Sequence, residues 1–313
     1  MATLPVLYDY PLAYNPAKPR LLLIEKGVPY TSKASKLWLI SLVVACTVVV
    51  QFINLFNGQS LSPAYLRLNP HGTSPTLIVG DKTLTESLEC ILYVDEHLGG
   101  PPLGGDKVDR AFVEQWVKEV DKWNGNIFMA AYGGDQVKSI LGKLTQYKER
   151  YAKARVVKHS KLAPACLDEY AQARMKENPD LAPLYKEKIE AMAAGIKAIG
   201  DQAVVDKNDK VLDELLDTAE SRLKASGAEG WLAGPAYSLA DVLLTVLLVR
   251  VEMNKLQARF IEPRPALNSF YKRVRQRPSW NQAFGSALSG LTGPKLFFPA
   301  LAKAWVANLT GWY

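Results

Sequence analysis

Residues 99–105 read Gly-Gly-Pro-Pro-Leu-Gly-Gly and divide the chain into two parts with different sequence patterns. Proline lacks the amide hydrogen that a helix needs, and glycine is costly to order, so this segment is typical of a linker. Short apolar runs alternate with turns before it, whereas apolar residues recur at helical spacing from about residue 107 onward. We therefore predict a domain at residues 1–98, a linker at 99–106 and a second domain at 107–291.

The first domain begins with a strand–helix–strand pattern. Residues 4–10 suit a strand, and Asn15 followed by Pro16 suits an N-cap with proline at the first helical position. That helix is expected to stop at Gly27, and a second strand is expected to start near residue 28.

A hairpin and a further helix complete this domain. Residues 77–79 and 82–84 flank Gly80 and its neighbour as two short antiparallel strands around a tight turn. Thr85 is expected to cap the helix that follows. The order of elements predicts a thioredoxin-like βαβ-ββα domain.

The second domain is predicted to be all-helical, which makes the fold class α+β. Residues 239–251 are apolar nearly all round, as in a buried central helix, and Ser238 with Asp241 forms a capping box at its start. Six further apolar residues share one helix face: Val211, Leu212, Leu215, Leu216, Ala219 and Leu223.

The net charge of the 313-residue chain, +7, is concentrated in one segment. Residues 138–161 contain eight basic side chains against one acidic one, so the rest of the chain is close to neutral. A local basic segment is typical of a solvated helix face, with an acidic partner or an anionic membrane surface as the alternative. No nucleic-acid motif accompanies it, so we expect no nucleic-acid partner.

The cysteines favour a reducing, cytoplasmic location. Cys46, Cys90 and Cys166 are odd in number and include no CxxC pair, so we expect neither a disulfide framework nor a bound metal. The first residues also lack the basic start and apolar core of a secretory signal.

Residues 37–56 form an uncharged stretch of twenty residues, which meets the length rule for a membrane-spanning helix. They interrupt the first domain near its second strand, where a span would divide one sheet across a bilayer. Three interpretations of an insertion at residues 36–53 are open: an unspliced intron, a protruding hairpin or helix that anchors the protein, and a true span.

The tail at residues 292–313 gives a second indication of membrane association. Its aromatic and leucine side chains lie among lysines, as in an interfacial amphipathic helix. The alternative is a helix that closes over the second domain. We therefore expect a cytoplasmic protein, with peripheral membrane association as the alternative that these segments raise.

Three motifs, in this order and spacing, resemble the glutathione transferase superfamily. They are a loop at residues 68–77 (LNPHGTSPTL), the hairpin exit at 84–87 (LTES), and WLAG at 231–234 followed by SLAD at 238–241.

Segments at residues 116–124, 175–182 and 275–279 are similar to one class of that superfamily, the plant tetrachlorohydroquinone dehalogenase-like class. The similarity covers about residues 4–34 and 54–285. It implies a plant or algal source, glutathione as co-substrate and a role in detoxification.

The resemblance implies a glutathione site in the first domain. Pro75 matches the family's cis-proline, and Ser74 would pair its backbone with the cysteinyl part of glutathione. Glu86 and Ser87 would hold the ammonium and the carboxylate of the γ-glutamyl end at a helix N-terminus. The glycine carboxylate usually meets a basic residue or a glutamine before the loop; here residues 59–61 read Gln-Ser-Leu, with no positive charge.

Thiolate formation is the step at which this chain departs from the family. A thiol with a pKa near 8.5 needs a hydrogen-bond donor or a helix dipole to ionise at pH 7. Ala13 stands where related classes carry an activating serine. Tyr14 is the first substitute, ahead of Tyr8 and Tyr10, with the dipole of the first helix as the alternative. Asn15 has an amide donor, but its expected cap role accounts for it.

The electrophile pocket is assigned to Trp116 and Trp123, which are seven residues apart and so share a helix face. Aromatic core packing is the alternative. Residues 8–20 contain no cysteine, which disfavours dehalogenation through a mixed disulfide.

The resemblance therefore implies a transferase that conjugates or reduces small apolar electrophiles through the glutathione thiolate, with a homodimer as the usual assembly in the family. The alternative is a catalytically silent protein of the same fold that acts at a membrane surface or as an interaction scaffold.

Overall fold

Five strands form one mixed sheet in the first part of the chain. The computed structural model describes residues 5–28, 30–32, 48–52, 59–133, 174–199 and 201–288. The sheet order is β2-β3-β1-β4-β5. The strands are β1 (Val6–Asp9), β2 (Tyr30–Ser32), β3 (Val48–Phe52), β4 (Thr76–Val79) and β5 (Lys82–Leu84).

In the part of the chain that the structure describes, three helices flank this sheet: α1 (Tyr14–Glu25), α2 (Pro63–Leu68) and α3 (Ser87–His97). β1 runs antiparallel to β4, and β4 and β5 form the expected hairpin, with Val79 opposite Lys82. α1 packs against α3. These elements confirm the thioredoxin-like arrangement that the sequence predicts.

β3 lies inside the segment that the sequence indicated as an insertion. Val48–Phe52 pairs in parallel with both β1 and β2, so it occupies the place beside β1 that a βαβ unit gives to β2. The insertion at residues 36–53 stays a prediction, and the structure adds that its residues 48–52 pair within the sheet. Residues 48–52 belong to the sheet because their backbone groups bond to strands on both sides. Residues 33–47 lie outside the described part, and the three interpretations stay predictions for them.

The second part is helical, and its central helix is the one expected. Leu239–Met253 carries thirteen consecutive buried residues from Leu239 to Val251. The helices within its described residues are α4 (Arg110–Asp121), α5 (Gly125–Tyr132), α6 (Ala182–Ile199), α7 (Gln202–Ser226), α8 (Leu239–Met253), α9 (Gln257–Phe260), α10 (Pro265–Val274) and α11 (Pro278–Leu288). α8 contacts α1, α4, α5, α9 and α10. None of the helices in the described ranges combines the length and hydropathy that crossing a membrane requires.

The capping box at the start of α8 is confirmed, and its carboxylate also contacts a second motif of the sequence. The fully buried Asp241 carboxylate accepts the N–H of Ser238 at 2.9 Å and the N–H of Leu232 at 2.8 Å. Burial raises the pKa of Asp241 to about 6, against the lowering effect of these bonds. The WLAG turn and the SLAD helix start are thus joined through one carboxylate.

One hydrophobic core runs through both parts of the chain. At its edge, Glu25 at the end of α1 accepts hydrogen bonds from Arg277 and Ser279 at the start of α11. The motif at residues 275–279 therefore joins the helical part to the sheet. The basic segment at residues 138–161 and the tail at 292–313 lie outside the residues that the structure describes. The domain limits expected from the sequence stay predictions.

Candidate active site

A cis peptide bond precedes β4. The Ser74–Pro75 bond is cis, as the resemblance implies. Ser74 is half-buried, and its N–H and C=O bond to no other backbone group within the described ranges. An unpaired N–H and C=O beside a sheet is able to accept an extended peptide as an added strand.

Buried polar side chains hold the loop before this bond in one shape. Asn69 is fully buried; its Nδ2 donates to the Thr73 carbonyl at 3.0 Å and to Thr76 Oγ1 at 2.8 Å, while its Oδ1 accepts the His71 N–H at 2.9 Å. The Tyr65 hydroxyl also donates to the Thr73 carbonyl, at 2.6 Å. Sequence reasoning did not assign roles to Asn69 and Tyr65, although Asn69-Pro70 lies within the loop motif.

The start of α3 lies beside a buried cation. Glu86 is the N-cap, with an extended backbone at φ −99° and ψ 138°, so the expectation that Thr85 caps this helix is corrected by one residue. The Cys90 N–H bonds to the Glu86 carbonyl at 3.0 Å, which fixes the helix start there. Ser87 is buried and Glu86 is exposed. Lys18 Nζ donates to Ser87 Oγ at 3.3 Å.

Lys18 was not among the residues that the sequence assigned to a site. Its side chain is only 4% exposed, and its Nζ lies 3.9 Å from the Asp121 carboxylate. Burial lowers the pKa of Lys18 to about 8, while Asp121 and Glu86 oppose the shift. Residues 18–20, Lys-Pro-Arg, match a basic-apolar-Arg pattern that the family carries in its first helix, and this match was the available signal. A titratable positive charge therefore lies where α1 meets the start of α3.

The first helix starts earlier than the sequence indicates. Ala13 is the N-cap, with φ −83° and ψ 142°, because its N–H closes a turn onto the Tyr10 carbonyl at 2.9 Å. The N-cap role expected for Asn15 is therefore wrong: Asn15 is the second helical residue, and Pro16 falls in the first turn, where its missing amide is not needed. The half-buried Asn15 amide makes no hydrogen bond to any described residue.

Tyr14 contacts the helical part of the chain. It is 3% exposed, its ring lies edge-on to Trp123 with 5.1 Å between centroids, and Lys18 Nζ is 4.8 Å from its centroid. Within the described ranges its hydroxyl has no hydrogen-bond partner, and burial raises its pKa above the ordinary value. Lys18 thus links the Tyr14 ring to Ser87. Tyr8, by contrast, is half-buried and edge-on to Tyr65 at 5.4 Å.

Both tryptophans assigned to the electrophile pocket are buried. Trp116 is 2% exposed, and its Nε1 donates to the Ala240 carbonyl at 3.2 Å, so its contacts are those of a core residue. Trp123 packs between Tyr14 and Phe128. The assignment of these residues to a pocket stays a prediction.

A buried arginine joins the loop after β1 to α8. Arg250 is 2% exposed, its Nη2 donates to the Leu12 carbonyl at 3.1 Å, and burial lowers its pKa to about 10. Together with Ala13 and Tyr14 it lines a cavity of about 10 Å³. That volume holds about one water molecule.

The described cysteine and acidic groups do not form a metal or thiolate centre. Cys90 is buried, and burial raises the pKa of its thiol to about 12, so it stays protonated at neutral pH. Among the residues that the structure describes, no group of three His, Cys, Asp or Glu side chains is placed to hold a metal ion.

Comparisons with known proteins agree with this architecture. Family models match at residues 15–97 (Glutathione S-transferase, N-terminal domain) and 176–278 (Glutathione S-transferase, C-terminal domain). Glutathione S-transferase TCHQD of Arabidopsis thaliana is 24% identical over 300 residues, which is 96% of this chain and 95% of that protein. The tetrachloro-p-hydroquinone reductive dehalogenase of Sphingobium chlorophenolicum is 27% identical over 277 residues, covering 88% and 94%.

A solved structure supports the fold. The beta-etherase LigF of Sphingobium sp. strain SYK-6 aligns over 91% of this chain and all of its own, with a TM-score of 0.56 and 18% identity. The two family models together cover more than half of the chain. The chain therefore belongs to the glutathione S-transferase superfamily, as a glutathione-dependent enzyme.

Proposed function

We propose that this protein binds glutathione at the edge formed by the cis-proline loop and α3, ionises its thiol, and conjugates or reduces small apolar electrophiles. The observation that carries the proposal is the cluster in which Lys18 Nζ, buried and 3.3 Å from Ser87 Oγ, lies at the start of α3. The domain carrying this cluster also carries the cis Ser74–Pro75 bond with its unpaired backbone.

The γ-glutamyl end of glutathione fits the start of α3. Its carboxylate would receive the helix N-terminal amides, the Ser87 hydroxyl and the charge of Lys18. Its ammonium would pair with the exposed Glu86 carboxylate. Hydrogen bonds to charged groups contribute about 1.5–3 kcal/mol each, so these contacts are strong enough to orient the tripeptide.

For the thiolate, the start of α1 fits better than the Tyr14 hydroxyl. Ala13 supplies no side-chain cap, so the N-terminal amides of α1 stay unsatisfied. The side-chain amide of Asn15 donates to none of the described residues. A favourable helix dipole contributes up to about 2 kcal/mol, which corresponds to about 1.5 pKa units and would lower a thiol pKa from about 8.5 to about 7. The Tyr14 hydroxyl is less accessible to a thiol, because Tyr14 is 3% exposed and packs against Trp123.

We propose as the chemistry either conjugation by the thiolate, or reduction in which two glutathione thiols supply two electrons and become the disulfide. Residues 8–20 contain no cysteine to exchange with a mixed disulfide, although one relative is named as a reductive dehalogenase. We assign the chain to the tetrachlorohydroquinone dehalogenase-like class on the segments at 116–124, 175–182 and 275–279. The homodimer that the resemblance implies stays a prediction. Light scattering on the purified protein would test it by measuring the molar mass in solution.

Isothermal titration of glutathione into the purified protein tests the site. We expect binding that weakens about tenfold or more in Glu86→Ala and Ser87→Ala, because each loses a contact to a charged group. Ser74→Ala serves as the matched control, since the proposal uses only the backbone of Ser74. Equal affinity in all four proteins would contradict the site.

Turnover is then measured with 1-chloro-2,4-dinitrobenzene as a small apolar electrophile. We expect Asn15→Ala to lower the rate at pH 6.5 more than at pH 9, where the thiol ionises unaided. Absence of glutathione binding in the wild-type protein would support the alternative of a catalytically silent scaffold.

A further inference from the structure

We propose that Lys188, on α6 in the helical part of the chain, holds the second carboxylate of glutathione, at its glycine end. This inference rests on the proposed function, because it extends the same site. It assigns a cation that sequence reasoning found missing from residues 59–61, and it places that cation in the other half of the chain.

The start of α6 is fixed against the segment that leads into the cis-proline loop. Tyr185 is fully buried, and its hydroxyl donates to the Leu61 carbonyl at 2.7 Å. Tyr185 and Leu181 pack with Leu61 and Leu66 in a second, smaller hydrophobic cluster. α6 is therefore positioned by packing and by a buried hydrogen bond.

Lys188 follows Tyr185 by three residues and so lies on the same face of α6, one turn along. Its Nζ donates to the carbonyl of His71, three residues before Ser74. The residue is half-buried, and burial lowers the pKa of Lys188, with only the neighbouring Glu187 opposing. Within the described ranges no carboxylate lies within ion-pair distance of it. An ammonium has three donors, and the His71 carbonyl uses one.

The direction of the bound tripeptide places its second carboxylate at this lysine. The chain enters β4 through the loop that contains His71 and leaves β5 into α3. A tripeptide laid along Ser74 with its γ-glutamyl end at Ser87 extends about 10 Å, so its other end lies over the segment before Ser74. That end carries the glycine carboxylate.

Within the described residues 59–73, the segment before Ser74 offers no cation without an acidic partner. Residues 59–73 contain one lysine or arginine, Arg67, and its Nη2 donates to Asp180 at 2.8 Å. Asp180 belongs to the turn just before α6, so Arg67 takes part in docking the helical part. Lys188 is left as the described cation that faces the loop without an acidic partner.

Two ligands that differ in a single charge test the assignment. Glutathione and its glycine ethyl ester are titrated calorimetrically into the full-length wild-type protein and into Lys188→Met, Lys188→Arg and Lys186→Met. We expect the wild-type protein to bind glutathione about tenfold more tightly than the ester, which corresponds to about 1.4 kcal/mol. Lys188→Met should bind both ligands equally, at the wild-type affinity for the ester.

The controls separate charge from folding. Lys188→Arg keeps a cation and should retain the preference for glutathione; Lys186→Met, which removes an exposed lysine of the same helix, should retain it in full. A full preference in Lys188→Met would overturn the inference while leaving the proposed function in place. Failure of the wild-type protein to bind either ligand would overturn the proposed function, and the inference with it.

Discussion

Replacing Arg277 by methionine is expected to destabilise the chain as a whole, because Arg277 is half of the ion pair that joins α1 to α11. The Glu25 side chain is 5% exposed, whereas that of Arg277 is 31% exposed. Glu25 accepts the Arg277 Nε–H at 2.9 Å, a second N–H from Nη2, and the Ser279 hydroxyl. Removing the guanidinium leaves a buried carboxylate with one hydroxyl donor.

The magnitude follows from that geometry. Breaking a buried ion pair from one side costs about 3–5 kcal/mol, and the partial exposure of Arg277 places the expected loss near the lower end, at about 3 kcal/mol. Glu25→Met should cost a similar amount. The double variant removes both charges, so its loss should be smaller than the sum of the two by about 2 kcal/mol.

Urea unfolding measures these losses, followed by tryptophan fluorescence and by far-ultraviolet circular dichroism. The two transitions should coincide in each variant, because the pair lies at the edge of a core that both parts share. Lys210→Met is the matched control: it removes the exposed partner of a 3.9 Å pair with Glu214 and should cause no measurable loss. Additive single and double losses would refute the reasoning, as would an Arg277→Met variant as stable as the control.

Three further predictions concern the site. Burial holds the pKa of Lys18 near 8, and a bound carboxylate favours the charged form of this lysine. The affinity for S-methylglutathione, measured by calorimetric titration, should therefore fall above pH 8. The part of this decrease that comes from Lys18 should be missing in Lys18→Met. Gly125→Ala places a methyl group 2.7 Å from the Tyr14 ring and should cost about 1–3 kcal/mol in thermal unfolding, whereas Gly195→Ala, which has open space, should not destabilise. Asn69→Ala removes three hydrogen bonds that hold the cis-proline loop and should raise the KM for glutathione severalfold in steady-state kinetics. An unchanged KM would contradict a positioning role.

Local signals predicted much of the fold. The hairpin around Gly80 and the capping box of Ser238 and Asp241 each depend on a few adjacent residues, and the structure has both. The cis bond at Pro75 is also present, and it was expected from the resemblance of the loop at residues 68–77 to the family. The start of α1 was misplaced because the turn that ends at Ala13 depends on a backbone bond that no side chain signals.

Non-local contacts account for what the sequence did not predict. Lys18 is 69 residues from Ser87 in the chain, and Lys188 is 117 residues from His71. The pattern of either lysine alone is that of an ordinary helix residue. The packing of α1 on α3 places Lys18 beside Ser87, and the packing of α6 on the α2 segment places Lys188 beside His71.

The shared direction and register of β2 and β3 would let a shorter form of the chain build the same sheet without β3. β2 and β3 run in the same direction and in step: Thr31 lies opposite Val49, which lies opposite Val6. A protein translated from a message without residues 36–53 would lose β3, yet a shift of β2 by one strand spacing, about 4.8 Å, would bring Thr31 opposite Val6 with the same polarity. Two splice products would then share β1, the cis-proline loop and α3, and would differ in whether the sheet has four strands or five.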